Sequence, residues 1–249
     1  MNVLIVHCHP EPESFNAALT SSAHEALIRN GHDVKVSDLY AEGFEPLEGP
    51  ERYATRREPG YFQALDEQRW HHERDDLAAD VRREIDRLTW ANLVILQFPL
   101  WWHGAPAMLK GWFDRVLVYG GLYTGNRRFD RGPLRGRRAI CSVTTGAPEI
   151  TFGPFGRSGD IATLMWPTHC SLYYVGLSVL APHLTYGVQG GGLSYRQEAD
   201  FREHLEAEKR RWGQRVLTLE EASPLPMSGW SDWNDQGVLN GAHPLRWRI

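Results

Sequence analysis

Apolar positions along the first 190 or so residues fall into two alternating rhythms. Short runs at Val3–Val6, Val34–Leu39, Leu93–Phe98, Ala139–Thr144 and Leu177–Leu180 have the length and β-branched content of strands, the last with an extension toward Tyr186. Between them apolar residues recur at helical spacing. Phe15, Leu19, Ala23 and Leu27 form one face and stop at Asn30-Gly31. Leu77, Val81, Ile85 and Leu88 form another. Met108, Leu109, Trp112, Phe113 and Val116 predict a helix from Pro106 to about Tyr119, and a further helix is expected from about Asp160 to Val175. Phe201, Leu205, Trp212 and Val216 mark a last one. The polar, proline-containing stretch from Glu42 to about Arg74 shows only weak periodicity.

Strands that alternate with helices predict a parallel sheet covered on both faces, because parallel neighbours need crossover connections. The expected fold is α/β, a doubly wound five-stranded parallel sheet of order 2-1-3-4-5, occupying residues 1–222. Residues 223–249 lack periodicity but carry Trp230, Trp233 and Trp247. They are expected to form an extension docked on the domain or on a second subunit, since a free tail would not usually be so aromatic.

Composition narrows the function. Net charge is −4, so no basic field invites nucleic acid. No apolar run approaches the roughly 20 residues that span a bilayer, and no basic leader precedes the first strand. A cytoplasmic protein is expected, with no membrane partner. Cys8, Cys141 and Cys170 have no metal-type spacing, and the first two sit in strand runs, as buried free thiols do. Ten tryptophans are many for 249 residues and point to cores, interfaces or a pocket for a flat ligand.

Three loops at strand carboxyl ends carry the chemistry. After strand one, His7-Cys8-His9-Pro10-Glu11-Pro12-Glu13-Ser14-Phe15-Asn16 leads into a helix that Ser14 can cap. Helix N–H groups there suit a phosphate, and His9 adds a donor; the plainer alternative is an ordinary capped helix start. After strand three, Pro99-Leu100-Trp101-Trp102-His103-Gly104 is rigid and aromatic, or else simply packs beneath the following helix. After strand four, Thr144-Thr145-Gly146-Ala147 offers hydroxyls, amides and a glycine to the polar edge of a heterocycle, or is a plain turn. In order 2-1-3-4-5 these three strands are adjacent and the order reverses between strands one and three, where such folds bind ligands. Neither GxGxxG nor a P-loop occurs. Alternation aims His7 away from His9, so no metal site is expected there.

On these residues the chain resembles the NAD(P)H:quinone oxidoreductase family of flavodoxin-like FAD enzymes. The likeness runs through His9 with Ser14-Phe15-Asn16, Ser37-Asp38-Leu39-Tyr40, Gln97-Phe98-Pro99-Leu100, Gly104 to Phe113, Tyr123-Thr124, Gly132-Pro133, Thr144-Thr145-Gly146, Gly159-Asp160, Trp166-Pro167 and Leu184-Thr185-Tyr186, over roughly residues 1–188. The resemblance implies FAD, rather than FMN, held by His9, Ser14, Phe15, Asn16 and Gln63, with its ring system between Pro99, Leu100, Trp101, Trp102 and His103 on one side and Thr144, Thr145, Gly146, Ala147 and Phe152 on the other. It implies a homodimer with the active site at the interface, NAD(P)H as reductant, ping-pong hydride transfer, and a small flat acceptor bound by Trp102, Tyr123, Thr124 and Tyr174.

The departures from the family pattern bear on mechanism. Relatives use a tyrosine and a histidine after the Thr-Thr-Gly turn to compensate charge on reduced flavin; here Phe152 and Ser158 stand at those positions. Phe152 cannot donate a hydrogen bond and serine is a poor acid. His103 is the candidate catalytic donor, the alternative being a histidine that only stacks or packs. Gly125 replaces a second pocket tyrosine. His169 has Tyr173 where a zinc-binding relative needs a second histidine, so no metal is expected. Reduction of quinones or similar electrophiles is the leading expectation. A flavin reductase for azo, nitro or other specialised acceptors, or a flavin-bearing regulatory or binding protein, are the alternatives. The arginines from Arg127 to Arg138 fit either an anion site or a solvated basic loop.

Overall fold

The computed structural model describes residues 1–188 and 197–241. Three strands form the buried centre: β1 (Asn2–His7), β3 (Leu93–Pro99) and β4 (Arg138–Thr144). Their near-continuous apolar sequence is what a strand covered on both faces requires. β2 (Asp33–Asp38) lies at one edge, pairing with β1, and its alternating exposure shows one wet face. The strands pair in parallel, in the order β2-β1-β3-β4 with a fifth position beyond β4, as the alternation of apolar runs predicts.

The fifth position departs from expectation. Instead of one strand it holds β5 (Ser178–Val179) and β6 (His183–Thr185), both pairing with β4. Arg138 pairs with Ser178 but Ser142 with His183, so the outer chain carries one residue more than β4 between the two pieces. Pro182 sits in that bulge, where its missing N–H costs no ladder bond.

Helices cover both faces. α1 (Phe15–Arg29) and α6 (Glu198–Arg215) pack together on one, enclosing Val3, Ile5, Leu19, Ile95, Ile140 and Trp212. α3 (Ala79–Trp90), α4 (Ala107–Val116) and α5 (Ile161–Tyr174) cover the larger cluster, which includes Leu4, Val6, Leu96, Phe98, Trp112 and Leu172. α2 (Ala64–Glu73) falls in the stretch of weak periodicity. Its buried positions are Glu67, Gln68 and His71, so no apolar stripe announces it. They are satisfied instead by bonds: Arg56 Nε and the Arg57 N–H donate to Glu67, and Gln68 Nε2 donates to the Asp114 carbonyl.

The described part of the C-terminal segment lies along this chain. The Leu225 N–H donates to the Val179 carbonyl at 2.7 Å, Tyr173 Oη donates to the Ser228 carbonyl at 2.9 Å, and Leu225 and Met227 pack on the larger core. Trp230 and Trp233 stack about Phe129. Trp247 lies outside the described residues. Among the described residues no helix is long and apolar enough to cross a membrane, and Cys8 and Cys141 are buried free thiols.

Candidate active site

The loops after β1, β3 and β4 meet at the carboxyl edge of the sheet, held by a chain of buried amides. Gln97 Nε2 donates to Asn16 Oδ1 at 2.9 Å, and Asn16 Nδ2 donates to Thr144 Oγ1 at 2.9 Å. The Leu100 N–H donates to the Thr144 carbonyl at 2.9 Å. The side chain of Asn16 is therefore spent inside the protein, and what this residue offers a ligand is its backbone N–H. In the sequence Gln97 stands out only as part of the Gln97-Phe98-Pro99-Leu100 likeness and as the one polar side chain in the β3 run, with no role assigned to it.

At the start of α1, Ser14 Oγ accepts the Ala17 N–H at 3.2 Å and the Ser14 carbonyl accepts that of Ala18. Phe15 and Asn16 occupy the first two helical positions, whose N–H groups have no intrahelical acceptor and face the positive end of the helix dipole. His9 stands beside them. The Glu11 N–H donates to its Nδ1 at 3.0 Å, so a neutral ring carries its proton on Nε2 as a donor. Its ring meets Trp101 edge-on, with centroids 5.7 Å apart.

The loop after β3 is a two-residue turn. Trp101 and Gly104 exchange both backbone hydrogen bonds at 3.0 Å. The two central residues, Trp102 at φ 48° and His103 at φ 62°, lie in the left-handed region, as in a type I′ turn. Such positions favour asparagine and glycine, and a bulky side chain there costs on the order of 1 kcal/mol. Trp102 is also 96 % exposed. This large ring is neither relaxed in its backbone nor buried, so core packing does not account for it.

After β4, the Thr145 N–H donates to the Thr185 carbonyl and Thr145 Oγ1 to the Ala147 carbonyl, both at 2.9 Å. The N–H groups of Gly146 and Ala147 have no partner among the described residues. The donor set fits a flavin: helix N–H groups and a histidine for its phosphates, strand-end N–H groups for the polar ring edge, and an exposed tryptophan for its flat face. Burial pushes the Cys8 thiol up to about 12, so it is no nucleophile beside this site.

A family model described as flavodoxin-like fold matches residues 1–216. Guinea pig (Cavia porcellus) NAD(P)H dehydrogenase [quinone] 1 is 40 % identical over 187 residues, covering 74 % of this chain and 68 % of its own. Orangutan (Pongo abelii) ribosyldihydronicotinamide dehydrogenase [quinone] is 37 % identical over 232 residues, covering 90 % and 94 %. The chain belongs to this family of flavodoxin-like oxidoreductases. A crystal structure from Klebsiella pneumoniae, provisionally described as a quinone reductase, superposes with a TM-score of 0.85 at 29 % identity and covers 96 % of this chain and 93 % of its own.

Within this oxidoreductase the other expected residues are more dispersed. Phe152 is half-buried against Tyr186, with centroids 5.4 Å apart. Ser158 Oγ donates to Thr151 Oγ1 at 2.8 Å, and Thr151 Oγ1 in turn donates to the Pro148 carbonyl. Ser158 is thereby engaged within its own loop. His103 is exposed on the turn. Gln63 precedes α2 and lines a small cleft with Arg57, Tyr61 and Asp66, separate from the three loops. Tyr123 and Tyr174 meet edge-on, with centroids 5.3 Å apart. They line a groove between α2, α4 and α5 whose walls include none of the loops after β1, β3 and β4. Thr124 closes a tight turn with Arg127. His169 is buried and held down to about 4 by desolvation, and its Nε2 lacks a hydrogen-bond partner. Among the described residues no cluster of potential ligands could hold a metal.

Proposed function

We propose that the chain reduces quinones or similar flat electrophiles by two electrons at the expense of NAD(P)H, using FAD held at the junction of the three loops. The observation that carries this reading is the turn at Trp102 and His103, strained and exposed beside two sets of backbone donors without acceptors. The chemistry supplied by a bound FAD is two-electron transfer at its N5 position, from NAD(P)H and then to the acceptor that replaces it. Phe15 and Asn16 N–H groups, with His9 Nε2–H, neutralise the phosphates. The Gly146 and Ala147 N–H groups would hold the polar edge of the flavin ring and stabilise negative charge there. Trp102 would lie over the flat ring and exclude water from it. His103 would supply the hydrogen-bond donor that the Phe152 and Ser158 positions do not.

The separation of Tyr123 and Tyr174 from the three loops supports a homodimer in which one copy's tyrosines face the other's flavin loops. The exposed aliphatic and aromatic side chains Ile150 and Phe155, beside the loop after β4, support the same arrangement. Identification of the released flavin, together with anaerobic addition of NADH and NADPH, tests the reading. Bleaching by one nucleotide and re-oxidation by a benzoquinone are expected, and failure of both nucleotides to bleach the flavin overturns it. His103→Phe is expected to slow flavin reduction and alter its pH profile; an unchanged profile removes His103 from the chemistry.

A further inference from the structure

Beside Tyr174 the chain folds its C-terminal segment into a second concavity. Trp233 and Leu239 pair across a tight hairpin in which Asn234 Oδ1 accepts the N–H groups of Gln236 and Val238, and Gly237 takes the left-handed turn position. This hairpin and α5 enclose a cleft of about 1040 Å³. Arg128 stands in its wall. Its guanidinium lies 5.5 Å from the ring centre of Phe129, 5.5 Å from that of Tyr174 and 5.4 Å from that of Trp230.

The partners of Arg128 are unusual for a half-buried cation. Its Nη1 donates to Tyr174 Oη at 2.8 Å, and its Nε is buried without a hydrogen-bond partner. Among the described residues no carboxylate forms an ion pair with it. Asp130 is engaged by the Trp230 N–H and Asp232 by the Gly229 N–H, while Asp235 lies exposed on the cleft wall. A guanidinium only donates, so Tyr174 Oη is the acceptor of their bond and its own O–H is left to donate elsewhere. The Tyr174 O–H and the guanidinium hydrogens of Arg128 not spent on Tyr174 therefore meet beside aromatic faces with no acceptor among the described residues.

We infer that the Arg128–Tyr174 pair is a clamp for an anionic oxygen, and that the cleft selects planar aromatic acceptors bearing a carboxylate or comparable anionic group. The rings of Trp230 and Tyr174 receive the flat body, and the clamp receives the charged oxygen. Calling the ligand an electron acceptor rests on the reductase reading above; the binding preference does not.

Calorimetric titration of the purified flavin-loaded protein with anthraquinone carboxylate and with its neutral hydroxymethyl analogue tests the inference. The carboxylate is expected to bind roughly tenfold tighter, the increment of one charge-assisted hydrogen bond at a partly exposed site. Arg128→Met should abolish the preference by weakening the carboxylate alone. Tyr174→Phe should reduce it while keeping the ring, and added salt should weaken the carboxylate more than the neutral analogue. Equal affinity in the unmodified protein, or a preference that survives Arg128→Met, overturns the clamp. Should Arg128→Met not fold, a Tyr174→Phe protein whose preference and salt response match the unmodified one overturns it equally. If the preference is present but neither nucleotide bleaches the flavin, the reductase reading fails and the anion clamp stands.

Discussion

Trp102 and Trp112 belong to one loop-and-helix segment, yet they are used in opposite ways. Trp112 is fully buried in α4, and its Nε1 donates to Glu84 at 2.9 Å. Trp102 stands 96 % exposed at a left-handed backbone position. Around the first, each local choice agrees with the fold: an apolar ring in the core, a buried donor with its acceptor. Around the second, both side chain and backbone violate local preference, and such violations persist at functional sites because the surroundings enforce them. The turn can carry strain because its stem is fixed from beneath by the pairing of β3 with β4 and by the Gln97–Asn16–Thr144 chain. In the function proposed above, the strained turn is the working surface and the buried polar bonds under it are what hold it in place.

The largest test of that division is at Glu84. Its carboxylate accepts from Ser37 Oγ at 2.6 Å, from Trp112 Nε1 and, at 2.8 Å, from Arg87 Nη1, joining β2, α3 and α4. Glu84→Leu strands two buried donors, the Trp112 indole and the Ser37 hydroxyl, and leaves Arg87 only its ion pair with Glu42, for an expected cost of about 3 kcal/mol in urea unfolding. A loss below about 1 kcal/mol would show that the buried network is not what holds α4. Asn16→Ala comes next. It leaves the Gln97 amide and the Thr144 hydroxyl without their partner, for about 2 kcal/mol, and lets the loops after β1 and β4 separate. Flavin affinity, read by equilibrium dialysis, should fall with it; a destabilised protein with unchanged flavin affinity would uncouple floor from site.

The buried side also predicts an acid weakness. His183 is fully buried on Trp212, and burial, aided by the positive charges of Arg211 and Arg215, holds it down to about 3. An unfolded chain takes up this proton near pH 6.5, whereas the folded chain resists until near its own lowered value. Below pH 6.5 the unfolded state binds more protons, so the stability this residue confers declines as pH falls through that window. The slope contributed is at most about 1.4 kcal/mol per pH unit. Unfolding measured between pH 6 and 4 should be flatter for His183→Gln by roughly 1 kcal/mol per unit. An unchanged slope would mean that His183 is already charged in the folded protein.

Much of the architecture is legible in the chain because parallel strands buried on both faces must be apolar, and β1, β3 and β4 are. Legibility fails where burial is polar. α2 escapes because Glu67, Gln68 and His71 face inward on hydrogen bonds, and hydrophobic periodicity cannot register them. The fifth strand reads as continuous because one extra residue at Pro182 leaves little mark in a short apolar run. In the site, the three loops follow from strand order, as do Ser14 and the Trp-Trp-His turn. The roles within it do not. Whether Asn16 faces a ligand or Thr144 depends on the packing of α1 against β4, and Arg128 acquires meaning only when the tail brings Trp230 beside it. Tyr123 and Tyr174 match family positions in sequence, but their groove is a property of helix packing.

The smallest expected effect is the sharpest one for the comparison. Trp102→Gly removes an exposed side chain from a left-handed position that glycine occupies freely. Relief of backbone strain favours the folded state, and the added freedom of the unfolded glycine opposes it. The net change in stability should stay within about 1 kcal/mol of zero, against the much larger loss for Glu84→Leu. The same change removes the flat cover of the proposed flavin, so the rate of flavin reduction by NAD(P)H should fall far more than stability does. If Trp102→Gly instead unfolds the protein as readily as Glu84→Leu, the ring is a packing element hidden by a subunit contact, and the turn loses its claim to be the working surface. If neither stability nor flavin reduction changes, the strain at Trp102 serves some purpose other than this site. A stable protein with impaired reduction is the outcome that the contrast between the two tryptophans requires.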